Sequence, residues 1–381
     1  MSNELSIENA KSSLNQWLQE LLKKNGSILH IKNNSPIKGR IQNTLQIIDK
    51  TPLNSELLKI ILKLLAANNL KMLMDEKEYE GIYKLDTKYR FKFRIYTHQN
   101  GFAVVFKALP SKIKTLKELH LPSMLNSIVE LEQGLVILSG DDSSGKSTLL
   151  ATLLEAINQK KSSHIITLED HIEYIYNEKL STIEQKETKI HTLSISQAIK
   201  SIIKEDPDII AIDQLSDSDV ARHIIELINR GYLIIITMNA TDTQDTISKF
   251  LEFFDATQQD NARHTLAYML KAVISQELII SKDNILLPVV EIMFQTENTK
   301  NAILNYKESM IKDVILNDSK QNNSITFEQS LHKLYTAGQI SQDALYDNPK
   351  NNITDISSIQ KFVPNEEKFE DSISYTIKFD G

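Results

Sequence analysis

The run GLVILSGDDSSGKSTLLATLLEAINQ, residues 134–159, constrains this chain more than any other stretch. An apolar strand meets Gly140-x-x-x-x-Gly145-Lys146-Ser147, and an amphipathic segment then continues as a helix. Glycines at these positions let the backbone wrap closely around phosphate oxygens. The helix amino end adds N–H donors and the positive end of its dipole. In such a loop Lys146 reaches the β- and γ-phosphates of a nucleoside triphosphate and Ser147 ligates Mg²⁺. The nucleotide-binding set is therefore Gly140, Asp141, Asp142, Ser143, Ser144, Gly145, Lys146, Ser147 and Thr148. Asp141 and Asp142 are odd members, two carboxylates beside a pocket meant for a polyanion. Either they point outward or they weaken affinity for ATP.

The segments around the loop give it a scaffold. Apolar runs at 135–138, 165–168, 209–212 and 233–237 alternate with amphipathic stretches, the pattern of a parallel sheet covered on both faces. The helical stripes at 149–157 and 195–203 read as core faces. Upstream, residues 4–24 carry apolar positions at helical spacing. Strand-like runs at 28–31, 91–95 and 103–106 and a helical patch at 56–67 complete a small α+β domain over 1–108. The polar, proline-bearing stretch 109–117, with Lys112, Lys114 and Lys117, reads as a solvated linker. The sheet domain runs over 118–296, and a helical subdomain over 297–350. There Thr326 and Gln329 fit a capping box and Gly338 a helix stop. Residues 351–381 read as a mostly loose tail, except that ISYTIKF at 373–379 alternates as a strand would.

The 381-residue chain is 41% hydrophobic and 24% charged, as in ordinary soluble domains, and it carries no cysteine. Disulfides, thiolate zinc sites and cysteine catalysis are thereby excluded. A net charge of −7 and the lack of an aromatic-plus-basic pattern disfavour nucleic acid as a partner. The amino end lacks a signal-peptide pattern, and no segment is apolar enough to span a bilayer, so a cytoplasmic location is expected. His164 and His171 stand near a strand end, where isolated histidines are polar edge residues more often than metal ligands.

Several segments resemble the type IV pilus and type II secretion ATPases. HIITLEDHIEYIY (164–176) resembles their Asp box, KEDPDIIAIDQLSD (204–217) their Walker B segment and RGYLIIITMNATDT (230–243) their His box. YRFKFRIYTHQNGFAVVFKALPSK (89–112) resembles the amino-terminal strands and linker of the retraction branch, PilT. LKAVISQELI (270–279) and ITFEQSLHKLYTAGQISQDAL (325–345) resemble the carboxyl-terminal part, closest to the accessory retraction paralogue PilU. The segments fall in the family's order along nearly the whole chain. The resemblance implies a PAS-like α+β amino-terminal domain, a RecA-like α/β motor domain with a parallel-rich sheet, and carboxyl-terminal helices. It further implies ATP with Mg²⁺, and a homo- or hetero-hexamer of retraction ATPase subunits. The partner would be the inner-membrane platform protein of a pilus machine, met at the cytoplasmic face of the membrane, with membrane contact only through such partners.

By the same resemblance Glu169 positions or activates the attacking water, and the neighbouring Asp170 is a candidate Mg²⁺ ligand. Departures from the pattern cluster elsewhere. The Gly-Glu pair that closes Walker B reads Asp213-Gln214, and an amide carries no charge and takes no proton. Successive strand side chains face opposite ways, so Asp213 replaces Gln214 only if the strand end bulges. The His-box histidines align with Tyr232 and Asn239, an expected arginine with Asn100, and another with Ser216, while Arg90 is kept. Loss of such a cation costs other nucleoside triphosphatases roughly 10³–10⁵ in rate. The expectation is an ATP-binding retraction subunit with weakened hydrolysis. Its alternatives are a non-hydrolysing subunit supporting an active paralogue and, less well supported, a RecA-like nucleic-acid motor.

Overall fold

The computed structural model describes residues 2–41, 44–319 and 324–348; the alternating segment 373–379 lies outside them. The chain divides into two compact units. One holds the residues up to 113 together with 173–175, and the other holds the rest from 114 onward.

In the first unit, six antiparallel strands lie in the order β3-β2-β1-β6-β5-β4. They are β1 (Gly26–Lys32), β2 (Ile37–Ile41), β3 (Thr44–Asp49), β4 (Glu78–Lys84), β5 (Arg90–His98) and β6 (Gly101–Ala108). The helix Ser2–Lys23 buries Leu14, Leu18 and Leu21. The helix Ser55–Ala66, capped by Asn54, buries Leu58, Ile61 and Leu65. Both stripes share one core with Leu29, Ile31, Phe91, Phe93, Ile95, Val104 and Phe106 from the sheet. This is the expected α+β domain, with β2, β3 and β4 added. β2 does alternate, burying Ile37, Gly39 and Ile41, but over only five residues with a glycine at its centre; β3, on an edge, and β4 have no fully buried residue, so period-2 alternation has little to show there.

The second unit carries an eight-stranded sheet in the order β14-β13-β12-β7-β11-β10-β8-β9. In chain order these are β7 (Gly134–Ser139), β8 (His164–Glu169), β9 (Thr182–Glu187), β10 (Ile209–Ile212), β11 (Leu233–Met238), β12 (Leu270–Ile280), β13 (Leu286–Phe294) and β14 (Ser324–Ile325). The strands from β12 to β9 pair in parallel, whereas β13 and β14 add antiparallel at one edge. All four residues of β10 are buried between β8 and β11. A strand covered on both faces must be apolar throughout, which is why IIAI reads as an unbroken run. The other edge, β9, reads TIEQKE; an edge half open to water needs no such run.

Each face of this sheet has its own core. On one, Val136 and Leu138 of β7, Ile209 and Ala211 of β10 and Leu233 and Ile235 of β11 pack on Leu149, Leu150, Leu153, Leu154 and Ile157 of the helix Lys146–Lys160. On the other, Ile137, Ile210, Ile212, Ile234 and Ile236 meet the helices Ile195–Ile202 and Ser218–Asn229. A smaller cluster joins β13 to the helix Phe327–Thr336. That helix opens on the expected capping box of Thr326 and Gln329, and Gly338 follows it at φ +71°. This is a RecA-like α/β arrangement, parallel-rich and followed by carboxyl-terminal helices.

Candidate functional site

Strand β7 delivers the loop 140–145 at the carboxyl edge of the sheet, where ligands of open α/β folds bind. Gly140 has φ +153°, and a Cβ there would stand 2.3 Å from the Gln276 carbonyl oxygen and 2.4 Å from Ser144 Oγ. Gly145 caps the helix at φ +95°, and its Cβ would stand 2.5 Å from Gln276 Nε2. Both glycines are thus required by backbone shape and by close approach. Gln276 on β12 braces the loop from behind, its Nε2 donating to the Ser144 carbonyl at 2.7 Å. Ser144 Oγ and Gln276 Oε1 are buried without a hydrogen-bond partner among the described residues. Of the two, the Ser144 hydroxyl can donate, and an unused donor in a glycine-rich turn fits a loop shaped to wrap an oxygen-rich ligand better than a settled core.

Lys146 folds back over the loop, Nζ donating at 2.8 Å to each of the Gly140 and Asp141 carbonyls. Burial pushes its ammonium below the ordinary lysine value, while the charges of Asp142, Asp213 and Asp141 oppose that fall. Ser147 and Thr148 stand half-buried in the first helical turn. Asp141, Asp142 and Ser143 are exposed, and Asp142 Oδ1 accepts from Asn239 Nδ2 at 3.1 Å.

The sheet register aligns the remaining polar groups. Leu138 stands opposite Thr237 across β7 and β11, Ile236 opposite Ile212, and Ile212 opposite Leu168. One residue beyond those isoleucines and Leu168, Thr237, Asp213 and Glu169 form a single row. Their parity is that of Ile235, Ala211 and Ile165, which pack on the face of the phosphate-loop helix. Thr237 Oγ1 donates to Asp213 Oδ1 at 3.1 Å. Glu169, only 9% exposed, accepts from Thr167 Oγ1 at 2.6 Å and Gln185 Nε2 at 3.0 Å. Burial pushes its carboxyl from 4.5 up to about 7; the two hydrogen bonds work against this and the charges of Asp213 and Glu187 add to it. A buried carboxyl poised near neutral is suited to accepting a proton at physiological pH.

Gln214 is not in this row. It is exposed, at φ +75°, and its backbone N–H donates to Thr237 Oγ1 at 2.7 Å. Asp170 is also exposed and accepts from Thr188 Oγ1 at 2.9 Å, away from the row. Asn239 lies just past the carboxyl end of β11 and Tyr232 just before its amino end, so the two His-box positions flank a strand roughly 20 Å long. Tyr232 packs against the apolar core. His171 Nδ1 is 3.2 Å from Glu187 Oε1, and His164 Nδ1 is 3.3 Å from the Asp206 carbonyl. Ser216 Oγ donates to Asp217, which caps the helix Ser218–Asn229. Arg90 opens β5 and Asn100 sits in the β5–β6 turn, both in the first unit.

Sequence reasoning did not find Gln276, Thr237 or the buried hydroxyl chain Thr246–Ser139–Ser275, linked at 2.7 and 2.8 Å. The signal was present as Ser275-Gln276-Glu277 inside VISQELI, three polar residues interrupting an apolar strand. Among the described residues no three His, Asp or Glu side chains gather as a metal cage. Mg²⁺ held through substrate phosphates and one or two carboxylates needs none.

The sequence matches the family model of the Type II/IV secretion system protein over residues 4–362. It is 32% identical to the twitching motility protein of Neisseria gonorrhoeae over 275 residues, 72% of this chain and 73% of that one. It is 28% identical over 322 residues to the type IV pilus retractation ATPase PilT of Pseudomonas aeruginosa, covering 84% of this chain and 93% of that protein. The type IV pilus ATPase PilU of the same organism is 27% identical over 331 residues, 86% of each chain. In fold it is similar to the crystal structure of the pilus retraction motor PilT with bound ADP, with a TM-score of 0.79 at 24% identity, over 91% of this chain and 98% of that one. The chain belongs to the type II/IV secretion system protein family, on its type IV pilus retraction ATPase branch.

Proposed function

We propose that this chain is an ATP-binding subunit of a type IV pilus retraction machine whose hydrolysis is weakened. The observation that carries this reading is a contrast within one site. The loop with Gly140, Gly145 and Lys146 keeps the shape that grips phosphate, while the polar groups around it have changed. ATP supplies the phosphoanhydride bond, and Mg²⁺ neutralises the charge on its phosphates. Lys146 and the loop N–H groups would hold the phosphates, Ser147 would hold the metal, and Glu169 would take a proton from the attacking water. Asn239 is engaged with Asp142, and Tyr232 with the core, where the resemblance leads one to expect imidazoles. An amide and a phenol supply no cation near neutral pH.

The same reading takes residues 1–108 as a PAS-like domain, 118–296 as the motor, 109–117 as the linker and 297–350 as a helical subdomain. The subunit works in a homo- or hetero-hexamer against an inner-membrane platform protein, at the cytoplasmic face of the membrane. No helix among the described residues is long and apolar enough to cross a bilayer. A second reading, a non-hydrolysing subunit that supports an active paralogue, is favoured by Asn239 and Tyr232 standing where imidazoles are expected. ATP turnover of the purified chain, alone and mixed with an active retraction ATPase, tests both. Turnover alone equal to the active relative's overturns weakened hydrolysis. No turnover alone together with stimulation of the mixture selects the supporting role.

A further inference from the structure

The end of β10 presents two polar side chains, and the backbone decides which of them serves the phosphate loop. Asp213 continues the parity of Ile209 and Ala211, which pack against the helix Lys146–Lys160. Gln214 follows the parity of Ile210 and Ile212, which pack on the opposite core. Three hydrogen bonds hold this arrangement. The Asp213 N–H donates to the Leu168 carbonyl at 2.9 Å, keeping residue 213 on the β8 ladder. The Gln214 N–H donates to Thr237 Oγ1 at 2.7 Å, and the Leu215 N–H to the Thr237 carbonyl at 2.8 Å. Between these anchors the chain turns through φ +75° at Gln214, a left-handed conformation costly for a residue with a Cβ. Its side chain is left exposed.

Thr237 has one hydroxyl proton and directs it at Asp213 Oδ1, 3.1 Å away, while its oxygen accepts from Gln214. The hydroxyl therefore orients the carboxylate and fixes the turn at the same time. Asp213 is also among the charges that Lys146 faces. Within the same loop Ser144 Oγ, on a residue only 6% exposed, has no partner among the described residues.

We propose that Asp213, not Gln214, is the metal-side carboxylate of this nucleotide site, aimed by Thr237 and by the left-handed turn at Gln214. This rests on the nucleotide-binding reading and deepens it. The charge missing at position 214 is supplied one residue earlier, on the face that the strand's own alternation turns toward the phosphate-loop helix. Hydrolysis is then weakened by the missing cations alone, while the grip on a metal–nucleotide complex is kept.

The test uses the full chain with a non-hydrolysable ATP analogue and Mn²⁺, whose free and bound forms electron paramagnetic resonance separates. Analogue binding by the unaltered protein is measured first by calorimetry. Asp213→Asn is expected to weaken Mn²⁺ binding roughly 10-fold or more, in the range that metal-orienting groups command. Gln214→Ala and Gln214→Glu are expected to stay within about twofold of the unaltered protein, because that side chain is turned away. An Asp213→Asn protein that binds Mn²⁺ normally overturns the proposal. So does a Gln214→Glu protein that binds it roughly tenfold more tightly, an arm that decides even if Asp213→Asn does not fold. Failure of the unaltered protein to bind the analogue at all removes the nucleotide reading itself. Analogue bound with Mn²⁺ affinity indifferent to Asp213 removes this inference alone.

Discussion

Replacing Glu169 by Gln should stabilise the metal-free and nucleotide-free protein at alkaline pH while removing its ability to take a proton. The carboxyl is nearly buried, and burial lifts it from 4.5 to about 7. A raised carboxyl means that the folded state holds its proton after the unfolded state has lost it. Stability therefore falls as pH rises from 4.5 to about 7 and is flat beyond. At roughly 1.4 kcal/mol per pH unit the full loss is about 3 kcal/mol, most of it between pH 5 and pH 8. The substituted amide does not titrate, and its carbonyl still accepts from Thr167 Oγ1, the donor at 2.6 Å in the unaltered protein. The gap in unfolding free energy between Glu169→Gln and the unaltered chain should therefore widen by roughly 2–3 kcal/mol from pH 5 to pH 8. Urea unfolding followed by far-ultraviolet circular dichroism, in buffer with a chelator, measures it. Two proteins that change in parallel across that range would falsify the claim that burial holds this proton.

Two further outcomes follow from the backbone at the site. Gln214→Gly should raise the unfolding free energy by about 1 kcal/mol, because glycine accepts φ +75° without a Cβ clash; a lower urea midpoint would show that the turn is not strained. Gly145→Ala should lose roughly 1–3 kcal/mol and weaken nucleotide binding, since its Cβ meets Gln276 Nε2 at 2.5 Å on a backbone at φ +95°. Calorimetric titration with ADP against the unaltered chain reads the binding, and unchanged affinity would contradict the cradle.

The row Thr237–Asp213–Glu169 bears on how a degenerate motif is to be understood. Asp213 and Gln214 are adjacent in sequence, yet one lies on the phosphate-loop face and the other is exposed. Counting an acid lost at one position says little until the parity of the strand is known. Here the parity leaves a carboxylate on the side of the loop, held by a threonine from the next strand.

Sequence alone determined the phosphate loop and the strands around it. Gly140 and Gly145 carry positive φ values that glycine accepts, Lys146 follows them at the spacing of a phosphate loop, and a run such as IIAI follows from burial on both faces. Both are short-range signals. The expected strands 135–138, 165–168, 209–212 and 233–237 lie within β7, β8, β10 and β11, and the capping box at Thr326 was equally legible. The strand order, the polar edge strand β9 and the antiparallel addition of β13 and β14 were not, because pairing partners lie far apart in the chain and an edge strand leaves little periodicity. The brace by Gln276 joins residues 132 positions apart, and the tether of Asp213 by Thr237 spans 24. The proton held by Glu169 depends on desolvation by elements that meet only when the sheet closes. Local chemistry is written residue by residue, but burial, field and facing arise from contacts between distant segments, and these only the tertiary structure decided.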